Sequence, residues 1–340
     1  ELWRSSDLLH GAMVMSSALW GTVLGALLGG VLCERYGRKN ILITVAILYL
    51  ISALGSALAG DPYFFALMRL LGGFGVGLSS IVVPAYIAEI APADRRGGLV
   101  ALYQFQIVLG ILVAFLSNFI LSEFLALNWR WMLGIEILPA MIFLTMVMKV
   151  PESPRWLLLR RNNEVECSRI LHIIDPKTAA ETIVNIKKSQ YGSNQDYLFS
   201  KLYATPIALA IFIALFNQLS GINFIIYFAP RVFSLAGLSD SIALLSSAGV
   251  GVVNLIFTLF GMLLIDRFGR RLLMIIGSLG YIFSLTTISM AFYAGVDGLI
   301  VVFLVFFFIG SHAIGQGAVI WVFFAEIFPN NVRTKGQSLG

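Results

Sequence analysis

Charged residues are scarce in this 340-residue sequence, where 23 Lys and Arg together with 18 Asp and Glu make up 12% of the chain. That is about half the share found in soluble globular domains. Hydrophobic residues reach 59%. So few charges cannot cover the surface of a large soluble domain with polar groups. The composition therefore excludes an ordinary soluble protein and indicates a polytopic membrane protein.

Cysteine and histidine are rare as well. Cys33 and Cys167 lie far apart and only three histidines are present, so the sequence shows neither a disulfide framework nor a metal-binding spacing. The net charge of +5 matters less in a membrane protein than the placement of its charges. We expect no metal, no cofactor, no nucleic-acid partner and no enzymatic chemistry.

Nine apolar spans are present, each long enough for a membrane-crossing helix of about 20 residues. They predict an all-α fold and cover residues 9–33, 40–60, 63–91, 99–121, 129–149, 204–229, 242–265, 272–294 and 299–325. The chain opens at Glu1 without a leading span and stops at Gly340 in a basic loop. We expect further spans to be missing from both ends.

One connection is long and polar, whereas the other loops are short. Residues 150–203 carry much of the charge and separate an N-terminal transmembrane half, 1–149, from a C-terminal half, 204–340. Lysine and arginine concentrate in alternate loops, and the positive-inside rule places those loops in the cytoplasm. Counting the spans places the linker 150–203 on the same side as these basic loops, so we expect it on the cytoplasmic side of a multi-pass cell-membrane protein.

Two internal repeats indicate a duplicated bundle. The stretch ERYGRK at 34–39 is matched by DRFGRR at 266–271, an offset of 232 residues. The stretch EIAP at 89–92 is matched by EIFP at 326–329, an offset of 237 residues. Two similarly oriented halves of six spans each account for both offsets. The basic loops could be topogenic charge alone, but that does not explain an acid and a glycine at fixed spacing in both halves.

The span from 206 to 230 holds three amides in its middle, Asn217, Gln218 and Asn223. Amides in hydrocarbon are costly unless they face protein or a water-filled cavity. On an unbroken helix Gln218 and Asn223 would point roughly 140° apart. We predict that the helix loosens near Ser220 and Gly221, so that both amides face one site for a polar substrate. The alternative is that the amides only join neighbouring helices.

Four other side chains are unusual inside apolar spans. Arg69 and Glu136 are charged, and a charge at the bilayer centre costs about 2.5–3.5 kcal/mol on insertion scales, so such residues usually have a partner and a role. The alternatives are that Arg69 snorkels outward and that Glu136 forms a buried structural pair. We interpret His312 as satisfied packing. Trp321 is interpreted as a substrate contact, with an aromatic-belt anchor as the alternative.

Glycines recur every four residues in two spans, at Gly21, Gly25 and Gly29 and at Gly73 and Gly77. Small residues on one face of a helix let two backbones approach closely. We predict tight helix packing along these faces. A smooth seam that lets helices slide during a conformational cycle is the alternative.

The sequence resembles the sugar porter family of the major facilitator superfamily over essentially its whole length. The matching stretches are 34–39, Arg69 with the glycines after it, 84–89 (PAYIAE), 151–157 (PESPRWL), 218–223 (QLSGIN), 266–271 and 321–329. PESPRWL and QLSGIN together are highly specific. The resemblance implies two pseudo-symmetric six-helix halves, of which the visible spans look like helices two to ten of twelve.

The resemblance also implies a site and a gate. Amides of helices five, seven and eight and a helix-ten tryptophan would hold a neutral sugar or polyol: Gln104, Asn217, Gln218, Asn223, Asn254 and Trp321. A cytoplasmic gate would be formed by Glu34, Arg35, Arg38, Glu89, Arg96, Glu152, Arg155, Asp266, Arg267, Arg270, Glu326 and Arg333. Asn217, Gln106 and Glu34 depart from the usual family residues, which leaves the identity of the sugar open.

The resemblance also leaves open whether transport is coupled to protons. In proton-coupled relatives an aspartate of helix one pairs with the arginine that Arg69 resembles, so Arg69 is the proton-coupling candidate. The aligned spans begin at helix two, so both symport, which we expect, and facilitative uniport are retained. A sugar sensor on the same fold is a further alternative. An organic-ion antiporter would need a charged or aromatic-lined cavity instead of amides. We expect a monomer in the lipid bilayer.

Overall fold

The computed structural model describes residues 16–92, 96–124, 129–191, 200, 203–296, 298–328 and 336. Within these ranges every long regular element is a helix, and eight helical segments are long and apolar enough to cross a membrane. One of them, Asp240–Ala294, covers two of the predicted spans, so all nine predicted spans are found as helices. The start of the first span, 9–15, lies outside the described residues.

The helices divide into two compact units. The first unit is drawn from 1–100 and 128–196, and the second from 101–127 and 197–340. Linker residues 150–196 thus belong to the first unit, whereas most of the helix Arg96–Phe124 belongs to the second. The predicted halves, 1–149 and 204–340, were defined by repeated sequence motifs and not by contacts. This division stays a prediction.

The first unit contains the helices α1 Ser17–Tyr36, α2 Arg38–Leu58, α3 Pro62–Ile90, α5 Trp129–Gly134 and α6 Ile137–Lys149. Helix α1 packs along α3, and α2 packs against α3, α5 and α6. The core of this unit comes from four of these helices: Cys33, Ile41, Leu42, Val45, Leu78, Val82 and Val147. Helix α3 begins with an N-cap, in which Asp61 accepts from the backbone N–H groups of Tyr63 and Phe64.

The linker folds into three short helices, α7 Pro154–Arg161, α8 Glu164–Ile174 and α9 Ala179–Tyr191. Ser153 caps α7 by accepting from the backbone N–H of Trp156, and Pro154 occupies the first turn, where its missing N–H costs no hydrogen bond. The three helices bury a small core of their own: Trp156, Leu157, Leu158, Cys167, Ile170, Leu171 and Ala179. Burial raises the pKa of the Cys167 thiol, which is a free cysteine.

The second unit contains most of α4 Arg96–Phe124 and the helices α10 Ala204–Leu219, α11 Ile222–Leu235, α12 Asp240–Ala294, α13 Gly298–His312 and α14 Ala318–Ile327. A π-helical turn, Ala313–Gly317, joins α13 to α14. The core is apolar and includes Phe233, Val250, Val305, Phe308 and Ile309, with Phe115 of α4 packed against it.

A glycine with positive φ marks the same point in both repeats. Gly37, between α1 and α2, has φ 92° and ψ 162°, and Gly269, within α12, has φ 76° and ψ 162°. Residues with a Cβ rarely adopt this conformation. The break at Gly269 therefore divides α12 into the two predicted spans.

Replacing Gly269 with Ala should lower the thermal midpoint in detergent, because the left-handed region costs a residue with a Cβ about 1–2 kcal/mol. Among the described residues, no atom beyond the chain neighbours lies within 4 Å of the added methyl group, so the effect reports backbone strain. Gly110→Ala is the control, since that site is equally open and its φ is not positive. Equal midpoints for the two variants would show that Gly269 is not strained.

Candidate functional site

The amide-containing span is broken where the sequence predicts it. Helix α10 ends at Leu219, Gly221 adopts φ 79°, and α11 begins at Ile222. The hydroxyl of Ser220 donates to the backbone oxygen of Asn217 at 2.6 Å, closing the last turn of α10. The predicted loosening near Ser220 and Gly221 is confirmed.

The break brings Gln218 and Asn223 into contact. Nδ2 of Asn223 donates to Oε1 of Gln218 at 2.6 Å, although the two side chains would diverge on a continuous helix. The bond uses the carbonyl of Gln218 and the amino group of Asn223. The amino group of Gln218 and the carbonyl of Asn223 remain as a neighbouring donor and acceptor.

Asn217 makes a different contact. Its Oδ1 lies 2.9 Å from Nε2 of His312 in the last turn of α13, so the residues adjacent in sequence, 217 and 218, engage different partners. His312 is buried, with 7% of its surface exposed. The interpretation of His312 as packing alone therefore omits a specific polar contact to a predicted site residue.

The other predicted site residues lie on three different helices of the second unit. Asn254 of α12 is buried and accepts from the hydroxyl of Thr258 at 3.5 Å. Gln104 of α4 is half-buried, and its Oε1 has no hydrogen-bond partner within the part of the chain that the structure describes. Trp321 belongs to α14, and its side chain lies outside the described atoms. The assignment of these residues to a substrate stays a prediction.

The π-helical turn contains a polar group that the sequence reasoning missed. Gln316 is 6% exposed, and its Nε2 donates to the hydroxyls of Tyr281 at 3.0 Å and Ser278 at 3.2 Å on α12. π-helical turns often occur at functional sites. The available signal was a lone glutamine between Gly315 and Gly317 in an apolar span.

The first unit holds a cluster of charges at the ends of α1 and α3. Arg38 Nη2 lies 2.8 Å from Glu89 Oε1, and the side chains are only 15% and 12% exposed. Glu152 Oε1 accepts from the backbone N–H groups of Arg38 at 2.9 Å, Lys39 at 3.0 Å and Ser153 at 2.8 Å. Glu152 therefore supplies the first turn of α2 with the acceptor that its unpaired N–H groups need.

The same cluster binds the linker to the first unit. The hydroxyl of Ser153 donates to Glu89 Oε2 at 2.5 Å. Trp156 Nε1 donates to the backbone oxygen of Glu34 at 2.9 Å, and Arg160 forms an ion pair with the Glu34 carboxylate. The linker is thus held by side chains of the repeated motif.

The second unit repeats this ion pair. Arg270 binds Glu326 with both ends of its guanidinium, Nη2 to Oε1 at 2.8 Å and Nε to Oε2 at 3.1 Å. Arg270 Nη1 also donates to the backbone oxygen of Ile265 at 3.5 Å, as Arg38 Nη1 does to Cys33 at 3.2 Å. Oδ1 of Asp266 lies 3.6 Å from Nη1 of Arg270. The two sequence repeats therefore form equivalent structures.

Comparison with known proteins identifies the family. The family model described as "Sugar (and other) transporter" matches residues 5–340. The chain belongs to the sugar porter family. It is a multi-pass membrane transporter of the major facilitator fold and not an enzyme.

Similar proteins include members with different kinds of coupling. The D-xylose-proton symporter of Escherichia coli K12 is 36% identical, over 96% of this chain and 71% of the relative. The glucose facilitated diffusion protein of Zymomonas mobilis is 32% identical, over 94% of this chain and 71% of the relative. The partially occluded inward-open xylose transporter XylE from E. coli has a TM-score of 0.85 at 34% identity, covering 96% of this chain and 77% of that one.

The remaining predicted gate residues of this sugar porter form fewer ion pairs. Within the described ranges Arg35, Arg155 and Arg267 are in no ion pair, and Arg35 lies 5.4 Å from the ring centre of Tyr36. The side chain of Arg96 and all of Arg333 lie outside the described residues. Ion pairs alone therefore do not explain all twelve predicted gate positions.

The two charges inside spans of this sugar porter act on each other. Arg69 of α3 interacts electrostatically with Glu136, which lies at the junction of α5 and α6 in the same unit. An opposite charge offsets part of the cost of placing either group in hydrocarbon. The proton-coupling role of Arg69 stays a prediction.

Proposed function

We propose that this protein carries a neutral monosaccharide or polyol across the cell membrane by alternating access, in symport with protons. The contact between Gln218 and Asn223 at the break in the helix is the observation that carries this proposal. Each sugar hydroxyl needs both a donor and an acceptor, and this amide pair offers one of each side by side. Helices α10 and α11 contain no carboxylate, which favours a neutral substrate.

The coupling to protons is supported by the D-xylose-proton symporter among the similar proteins and by the electrostatic interaction between Arg69 and Glu136. Titratable groups inside membrane spans commonly serve proton relays. Facilitative uniport is the second candidate, because a glucose facilitated diffusion protein is also similar to this chain.

The ion-pair clusters would act as cytoplasmic gates, with the linker 150–203 on the cytoplasmic side of the membrane. The positive-inside rule and the attachment of the linker to the repeated motif support this orientation. The protein would act as a monomer surrounded by lipid, since one chain supplies all the predicted site residues.

Counterflow in proteoliposomes tests the transport proposal, with labelled D-xylose, D-glucose and a polyol as probes. We expect exchange of at least one probe. Gln218→Ala should raise its KM about 10- to 100-fold, as expected for the loss of one or two hydrogen bonds. Asn185→Ala is the control, because it removes an exposed amide from the linker helix α9, outside the membrane-spanning helices. Specific binding without any exchange would instead support a sugar sensor.

A pH-sensitive dye inside the same vesicles separates the two transport candidates. Symport predicts that adding the exchanged sugar outside acidifies the interior, with no imposed gradient. Uniport predicts sugar uptake with no pH change. Arg69→Gln should abolish the acidification if Arg69 takes part in coupling, while counterflow persists.

A further inference from the structure

His312 and Asn217 form a pair whose hydrogen positions can be deduced. Their closest atoms, Nε2 and Oδ1, are 2.9 Å apart. With Oδ1 as the amide atom that faces the ring, Nε2 carries the proton and donates it, because an amide oxygen can only accept. The carbonyl of Asn217 is therefore engaged, and its amino group is directed away from His312.

The imidazole ring is held on several sides. The rings of Phe308 and Tyr281 each lie 6.4 Å from it, centre to centre. Tyr281 is itself fixed, because its hydroxyl accepts from Gln316 Nε2 at 3.0 Å. A Cβ at Gly317 would approach Nδ1 to 3.7 Å, so the π-helical turn closes over the ring. A side chain that is packed in this way keeps one rotamer.

The orientation of an amide decides what it offers a substrate. A freely rotating asparagine can turn either its donor or its acceptor toward a given point, whereas one bonded through its carbonyl to a fixed ring keeps its amino group on the opposite side. Together the three amides at the helix break would then present the amino groups of Asn217 and Gln218 and the carbonyl of Asn223. That is an ordered pattern of donor, donor and acceptor.

We propose that His312 is a positioning residue that fixes Asn217 as a hydrogen-bond donor to one hydroxyl group of the sugar, and so contributes to sugar selectivity. This inference rests on the proposed function. His312 acts through Asn217, since the bond fixes the carbonyl toward the ring and turns the amino group toward the substrate. Buried polar groups aligned in advance lose less free energy on binding than groups that must reorient.

The test compares three His312 variants in counterflow, using D-glucose and D-xylose with their monodeoxy derivatives as probes. His312→Phe keeps an aromatic ring and removes the donor. His312→Gln restores an amide N–H near the position of Nε2, and His312→Asn, the matched control, is too short to do so. Purified yield and thermal midpoint are recorded for each variant.

We expect His312→Phe to raise the KM of the parent sugar about tenfold, the effect of one lost hydrogen bond. The KM of one monodeoxy derivative should not change, because it lacks the hydroxyl that Asn217 contacts. Asn217→Ala should leave the KM of the same derivative unchanged. The KM values of the double variant should match those of Asn217→Ala alone. His312→Gln should recover most of the affinity, whereas His312→Asn should not.

A purely structural pair gives a different pattern. An equal rise in KM for every derivative, or a fall in maximal rate and thermal midpoint with KM unchanged, would overturn the positioning role. If the wild-type protein exchanges neither D-xylose, nor D-glucose, nor the polyol of the transport test, the proposed function fails as well. The wild-type measurement thus distinguishes the two failures.

Discussion

Substituting Ala for Gly25 should remove most of the folded protein, because the added methyl group has no space. Helix α1 crosses α3 at glycines of both helices. A Cβ at Gly25 would overlap the carbonyl oxygen of Phe74 and lie 3.0 Å from the Cα of Gly77. Both neighbours are backbone and cannot rotate away. Overpacking costs about 1–3 kcal/mol where side chains can adjust, so we expect a cost above that range here.

Gly30→Ala in the same helix is the control, since in the part of the chain that the structure describes no neighbouring helix comes within 4 Å of its added methyl group. The measurement is the yield of monodisperse protein on size-exclusion chromatography, followed by the thermal midpoint. Gly30→Ala should behave as the wild type or better, because alanine favours the helix. A normal yield and midpoint for Gly25→Ala would show that α1 and α3 are farther apart in the membrane.

Glu152→Ala should release the linker from the first unit. Its Oε1 accepts from three backbone N–H groups and thereby joins 150–153 to the start of α2. Leaving these donors without an acceptor should cost about 3 kcal/mol of unfolding free energy. Glu152→Gln keeps a neutral acceptor and should have an intermediate effect, since bonds to charged acceptors are about twice as strong.

Hydrogen exchange of the amides in α7 and α8 reports whether the linker has been released. We expect faster exchange there in Glu152→Ala, with smaller changes in the second unit. Glu166→Ala is the control, because that glutamate pairs with its helical neighbour Arg169 on the exposed surface of α8 and does not contact the start of α2 among the described residues. Unchanged exchange in Glu152→Ala would show that Trp156 and Arg160 hold the linker without Glu152.

Several features of the molecule could be predicted from local sequence. The nine spans follow from apolar runs, because the bilayer sets a minimum helix length. The break at Gly221 was predicted because it brings amides that diverge on a regular helix to one site. The repeated motif was found from the sequence, and its two copies form the ion pairs of Arg38 with Glu89 and of Arg270 with Glu326, whereas their gating role stays a prediction.

Other features depend on side chains that are distant in sequence. Asn217 and Gln218 are adjacent in sequence but engage different partners, and only the approach of α13 to α10 decides this. The π-helical turn at Gln316 gives no periodic signal, because one extra residue in a turn leaves the apolar pattern almost unchanged. The grouping of most of α4 with the second unit likewise follows from packing.

The sequence by itself determined the membrane class, the spans, the duplication, the family resemblance and the types of residue available to bind a sugar. These properties depend on composition, on the length of apolar runs and on short motifs. The tertiary structure alone decided that Gln218 bonds to Asn223 and Asn217 to His312, and which of the charges are paired. Hydrogen bonds form between atoms within about 3 Å, and only packing brings helices from distant parts of the chain that close.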